Sequence, residues 1–237
     1  MRAASEVPPF SDFVARRFAA ASPFWSWMIF ERIGGALAYG FARLGVSPAA
    51  ATLLGGASGV SGAILLGLAA TPAQAAGALG LLLLAYSLDC ADGQLARATR
   101  RASDRGAWLD VTVDAVVTGF VAAALTFALQ EGDRSVLGLI LGGAFGASRT
   151  ASLFTSTMIR RNDGGMKLSG GLRHLRTAFI SAIDTPFVYA ALCVTRLIPD
   201  LLVMVVVAVT ALTAVQTLVS ARHHFVSADR EALRARS

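Results

Sequence analysis

Runs of about twenty apolar residues, separated by short polar clusters, recur along most of this 237-residue chain. A helix rising about 1.5 Å per residue needs roughly 20 residues to cross the ~30 Å hydrocarbon core of a bilayer. The pattern therefore predicts six spans, over 47–70, 73–97, 107–129, 135–158, 177–196 and 199–221. Pro48, Pro72 and Pro199 fall near span starts, where a missing N–H costs little. Connections as short as "TPAQ" and "EGDR" imply antiparallel neighbours. The small residues of "GGASGVSG" (55–62) and "GGAFGAS" (142–148) would let helix backbones approach closely. Residues 10–43 mix Phe and Trp with arginines, which predicts one or two amphipathic helices lying in the interface. Phe10, Phe13, Trp25 and Trp27 would dip into lipid there. A seventh span over 24–42 is the alternative, since only Glu31 and Arg32 interrupt it. The expected fold is an all-α polytopic membrane bundle of six transmembrane helices with an N-terminal amphipathic interfacial helix. Residues 1–45 form the interfacial segment, 46–222 the six-helix domain and 223–237 a C-terminal tail.

Composition agrees with the pattern. AVILMFWYC residues make up 55% of the chain and charged residues 15%, against about 25% charged in ordinary soluble domains. The first 30 residues carry acids, prolines and aromatics instead of a clean apolar core with a small-residue cleavage site, so no cleaved signal peptide is expected. Cys90 and Cys193 offer neither a disulfide framework nor metal-type spacing and read as small apolar residues in helices.

Charge orients the chain. Arg2, Arg16, Arg17, Arg32 and Arg43 precede the first span, four basic residues (counting Arg97) lie between spans two and three, five between spans four and five, and four follow the last. The other side has only Arg134 and Arg196, and Arg149 lies inside span four. By the positive-inside rule both termini are cytoplasmic. With 20 Arg against one Lys and abundant Ala, the composition suggests a bacterial source, hence a cytoplasmic (inner) membrane. No nucleic-acid partner is expected.

The stretch "DCADGQLARATRRASDRGAWLDVTVD", from Asp89, then sits at the cytoplasmic face. Asp89 and Asp92, three apart near the end of span two, share a helix face that Gly93, Ala96 and Arg97 continue. Asp110 and Asp114, four apart, open span three in line with Gly106. Two antiparallel helices joined by a short loop would bring the four carboxylates together. Intramembrane acids are rare and usually functional, and four of them repel unless a cation lies between. Clustered carboxylate oxygens select Mg²⁺, Mn²⁺ or Ca²⁺ over zinc. Two such ions stabilise attacking and leaving oxygens in phosphoryl transfer. Arg97 is suited to gripping a diphosphate bidentately.

The run Asp89-x2-Asp92-Gly93-x2-Ala96-Arg97-x8-Gly106-x3-Asp110-x3-Asp114 resembles, without a gap, the signature of the CDP-alcohol phosphotransferases. Six spans, cytoplasmic termini and an N-terminal amphipathic helix also resemble that family. The resemblance implies that Asp89, Asp92 and Asp110 hold two divalent cations, Mg²⁺ or Mn²⁺, bridging the diphosphate of a CDP-linked donor. It implies that Asp114 is the general base on the acceptor hydroxyl and also touches the second metal. Asp89, Asp92, Gly93, Ala96, Arg97 and Gly106 would form the CDP site, Gly106 permitting close packing of the hairpin. Relatives are commonly dimeric, so a homodimer is implied. The chain departs from many relatives at Ala115, where they carry a basic residue, and at Ala49, where they carry Asn, although Thr52 remains.

Further residues extend the site. Arg149, inside span four, reads as acceptor-phosphate binding or as a structural ion pair with Asp184, which itself could contact acceptor hydroxyls. Among the basic residues of the 160–176 loop, most read as charges near anionic lipid, and Arg176, nearest span five, is the acceptor-site candidate. The leading function is transfer of a phosphatidyl group from CDP-diacylglycerol to a small polar alcohol, such as an inositol phosphate or glycerol phosphate, with release of CMP. The same motif serves the reverse partnership, in which a soluble CDP-alcohol donates its headgroup to a lipid hydroxyl. A transporter or metal-binding membrane protein is the remaining reading, against which the acids gather at one face instead of tracing a route across the bilayer.

Overall fold

The computed structural model describes residues 7–15, 29–130, 135–161 and 183–234. Among the described residues all regular structure is helical, in the order α1 (Phe10–Ala15), α2 (Glu31–Leu44), α3 (Pro48–Leu68), α4 (Pro72–Ala98), α5 (Asp104–Ala128), α6 (Ser135–Arg161), α7 (Thr185–Thr195) and α8 (Pro199–Arg234).

The helix starts follow from local chemistry. Ser47 accepts from the Ala50 N–H at 3.2 Å and Pro48 opens α3. Thr71 and Gln74 form a reciprocal capping box ahead of α4, again with proline in the first turn. Ser103 caps α5 through the Gly106 N–H at 3.1 Å. Gly45, at φ 72°, supplies the left-handed residue that ends α2.

Among the described residues, five helices are long and apolar enough to cross a membrane: Pro48–Leu68, Pro72–Ala98, Asp104–Ala128, Ser135–Met158 and Pro199–Arg222. The expected fifth of six spans, 177–196, differs. Its described helical part is the 11-residue α7, which begins at Thr185, and residues 177–182 lie outside the described residues. Pro186 stands in the first turn of α7. Its missing N–H costs nothing in a first turn, so a helix starts readily here, a signal that the apolar run conceals.

Packing runs round a ring in which α3 touches α4 and α5, α5 touches α6, α6 touches α8, α8 touches α7 and α7 touches α4. The enclosed core includes Leu66, Leu82, Leu125, Phe145, Leu192 and Val206. The expected α4–α5 hairpin splays open: the two helices come together where their aspartates meet, while along their length each packs chiefly against α3. Glycine makes that possible. A Cβ on Gly59 would fall 2.8 Å from Val117 Cγ2 on α5 and 3.4 Å from Ala85 Cβ on α4. The α5–α6 contact has the same character, since a Cβ on Gly142 would collide with Thr126 Oγ1 and lie 2.8 Å from the Ala122 carbonyl.

The N-terminal helices add a second, smaller core of Phe13, Ala38, Ala91, Leu95 and Ala98. Phe13 was expected in lipid; it is 1% exposed and meets the Tyr39 ring edge-on at 5.7 Å. Phe10, also against Tyr39, remains half-exposed, while Trp25 and Trp27 lie outside the described residues. The described part of the alternative seventh span is α2, 14 residues long and not among the helices able to cross a membrane. It buries Gly34, Gly35 and Ala38 and packs against α4. The expected tail is helical where described, as α8 continues without a break to Arg234.

Candidate active site

The last turns of α4 and the first turns of α5 meet at one end of the bundle. One carboxylate oxygen each from Asp89, Asp92 and Asp110 lies within 4.8 Å of the other two. Asp92 is the most enclosed, at 5% exposure, and Thr52 on α3 donates a hydrogen bond to its Oδ2. Asp110 and Asp114 are both near enough for their charges to act on Asp89. Asp114 is not one of the mutually close three; it stands one turn deeper along α5.

Arg97 folds back over Gly93: a Cβ there would sit 3.1 Å from its Nη1 and 3.4 Å from its Nη2. Its guanidinium feels Asp92, Glu31 and Asp110. Glu31 opens α2, whose backbone carbonyl at that residue accepts from Gln94 Nε2 at 2.9 Å. Ala96 is half-buried on the same helix. Gly106 does not pack the hairpin closely. It is exposed, and a Cβ there would meet only the Ser103 hydroxyl, at 3.4 Å, because α4 and α5 are held apart by α3.

Deeper in the bundle, Arg149 on α6 donates to the Ile183 carbonyl at 3.1 Å and to Thr185 Oγ1 at 2.6 Å. These bonds fasten it to the start of α7. Asp184 is buried there, 5% exposed, and it, Tyr189, Tyr86 and Asp114 all lie within electrostatic reach of the guanidinium. Arg149 thus joins the two halves of the site. Arg176 lies outside the described residues.

Several participants went unread in the sequence. Tyr86 is three residues before Asp89 on one helix face, a spacing that could have flagged it. Tyr189, Glu31 and the Thr52–Asp92 contact come from distant segments and left no local signal. Arg196 was counted only as a charge. It is buried at 7% exposure and donates to the Leu66 and Gly67 carbonyls, both at 3.0 Å, closing the C-terminal end of α3 far from the acids.

The acidic trio fits a hard cation. Two unit charges 4 Å apart repel by about 4 kcal/mol at an effective dielectric constant near 20, so three carboxylates held this close need positive charge among them. All three donors are oxygens, the set that favours Mg²⁺, Mn²⁺ or Ca²⁺. The match to known proteins points the same way. The family model for CDP-alcohol phosphatidyltransferase matches residues 46–215, from just before α3 into α8. Searched against curated proteins, the chain finds no significant match. Members of that family transfer phosphate-linked groups between CDP-linked donors and alcohol acceptors in membranes, and they use divalent metals. Apolar helices long enough for a bilayer, a carboxylate trio made for divalent cations and a match over most of the length agree, and the chain belongs to the CDP-alcohol phosphatidyltransferase family.

Proposed function

We propose that this protein joins a small polar alcohol, an inositol phosphate or glycerol phosphate, to the phosphatidyl group of CDP-diacylglycerol and releases CMP. The observation that carries this reading is the Asp89–Asp92–Asp110 trio with a second, cationic centre at Arg149 beyond Asp114. Asp89, Asp92 and Asp110, with Asp114, would hold two divalent cations, Mg²⁺ or Mn²⁺. Such ions would supply the positive charge that stabilises a departing phosphate oxygen.

The chain's own groups do the rest. Gly93 and Ala96 leave room for the nucleotide, and Arg97 turns from its acidic neighbours to the diphosphate, where a guanidinium binds bidentately. Asp114 takes the proton from the acceptor hydroxyl. The freed oxygen forms a bond to the phosphorus that carries the diacylglycerol ester. The anhydride bond to the CMP phosphate breaks in line, and its electron pair leaves with CMP. Arg149, with Arg176, reads the acceptor phosphate, and Asp184 contacts an acceptor hydroxyl. Charge asymmetry supports a site and termini at the cytoplasmic face, the Arg- and Ala-rich composition a bacterial inner membrane, and a homodimer is the expected assembly.

Purified protein supplied with CDP-diacylglycerol and a panel of alcohols tests this. CMP release should depend on inositol phosphate or glycerol phosphate, stop with EDTA and return with Mg²⁺ or Mn²⁺. Release only from a soluble CDP-alcohol in the presence of a lipid hydroxyl would reverse the partners and overturn the proposal.

A further inference from the structure

One acid stands on the face that helix α2 turns to the rest of the protein. Glu31, Gly34, Gly35 and Ala38 recur at helical spacing and form one stripe. The last three are buried and Glu31 is half-buried. The stripe lies hard against α4. A Cβ on Gly34 would fall 2.7 Å from Cys90 Cβ and 3.1 Å from the Ala91 nitrogen. Gln94 Nε2 donates to the Glu31 carbonyl at 2.9 Å. These contacts fix Glu31 beside the last turns of α4, the stretch that carries Arg97.

Arg97 occupies a border on α4. Asp89, Asp92 and Gly93 belong to the acidic face, while Cys90, Ala91 and Gln94 meet α2. At about 100° per residue, Arg97 falls between Gly93 of the first set and Cys90 of the second. Its guanidinium leans over Gly93, where a Cβ would sit 3.1 Å from Nη1. Three carboxylates act on it: Asp92 and Asp110 of the trio, and Glu31 from α2. The trio alone would draw the guanidinium in among its own oxygens, in the place of a cation, with its donors spent there. Glu31 pulls from outside the trio. Its charge is not what fastens α2 to α4, because Phe13, Ala38, Ala91, Leu95 and Ala98 supply an apolar contact and Gln94 binds the Glu31 backbone. A carboxylate withdrawn from water without need of packing is costly unless it meets an opposite charge.

We propose that Glu31 is a positioning residue for the donor: its carboxylate holds the Arg97 guanidinium over Gly93, clear of the trio and aimed at the diphosphate. The inference rests on the place of Arg97 in the proposed function and adds the group that orients it. A guanidinium has five donors in a fixed fork, so one edge can rest on Glu31 while another takes phosphate oxygens. Helix α2 thereby contributes to donor binding without touching the donor.

The test measures binding of CDP, in the presence of Mg²⁺, by titration calorimetry on the full chain in lipid nanodiscs. Glu31→Gln, nearly the same shape without the charge, should weaken CDP binding about tenfold and leave Tm at that of the parent. The direction of the change is decisive. A carboxylate acting only as nearby negative charge would repel the diphosphate, and its removal would tighten binding. Glu31→Asp, which keeps the charge, should lose less than Glu31→Gln. In an Arg97→Ala background, Glu31→Gln should change CDP affinity no further. Unchanged or tighter binding in Glu31→Gln, a loss that persists in full without Arg97, or a fall in Tm in step with the loss would overturn the inference while the role of Arg97 stands. Parent-like CDP affinity in Arg97→Ala would remove the diphosphate assignment of Arg97 itself, and this inference with it.

Discussion

Thr52 and Asp92 are 40 residues apart in the chain and hydrogen-bonded in the fold. That bond fixes the orientation of the most buried carboxylate in the trio, and partners of ligating groups typically contribute 10–100-fold to metal affinity. Thr52→Val, which keeps the shape and removes the donor, should therefore weaken Mg²⁺ binding at least tenfold by calorimetric titration; unchanged affinity would show that the bond is incidental. Asp114 makes the complementary case. If it is the base, Asp114→Asn should lower turnover by ~10²–10⁴-fold while CDP binding and Mg²⁺ binding at the trio largely persist, whereas Asp89→Asn should abolish binding as well. Near-normal turnover in Asp114→Asn would place the base elsewhere. The difference between these residues is also a difference in legibility. Asp89, Asp92, Gly93 and Arg97 were readable because spacing on a single helix fixes the shared face. Thr52, Glu31 and Tyr189 reach the site through packing between helices, which no window of sequence contains.

The apolar runs and their prolines located the starts of α3, α4, α5, α6 and α8 to within a few residues, because bilayer thickness and helix capping are both local constraints, while α8 runs on past the expected end to Arg234. Two element-level features escaped. Pro186 stands in the first turn of a helix that begins at Thr185, inside a run that looks continuous by hydropathy alone, and α3 rather than the α4–α5 turn determines how far apart the two acidic helices stand. The second has a direct consequence. Gly59 is where α3 meets both α4 and α5, so Gly59→Leu forces it away from Val117 and Ala85 together. Overpacking of this kind costs about 1–3 kcal/mol, and here it also displaces Thr52 two turns earlier on the same helix. Lower Tm together with loss of activity is expected from Gly59→Leu. The control is Gly80→Leu on α4, where a Cβ meets nothing within 4 Å, and it should behave as the parent. Equal behaviour of the two variants would show that α3 is not the spacer.

For the molecule as a whole, the acids and the flanking positive charge belong to the same end. Arg100, Arg101 and Arg105 are exposed in the connection and first turn between α4 and α5, beside the trio, while Arg196 at the opposite end is withdrawn from solvent to close α3. Removing Arg196 from the outer count leaves Arg134 as the sole basic residue there by the sequence reading, so the positive-inside bias toward a cytoplasmic site grows stronger once its burial is known. The proposed reaction calls for that orientation, since its soluble phosphorylated acceptor would approach a site at the water-facing end of an otherwise apolar bundle without crossing it. In a Cys90→Ala, Cys193→Ala background, cysteine placed at the exposed Ala102 beside Arg101 should react with a membrane-impermeant maleimide in inside-out vesicles and stay protected in intact spheroplasts. Cysteine at the exposed Ala70, at the far end of the bundle, should do the opposite. The reversed pattern would put the carboxylates outside the cell, away from the cytoplasmic supply of nucleotide-activated substrates, and the proposed reaction could not run there.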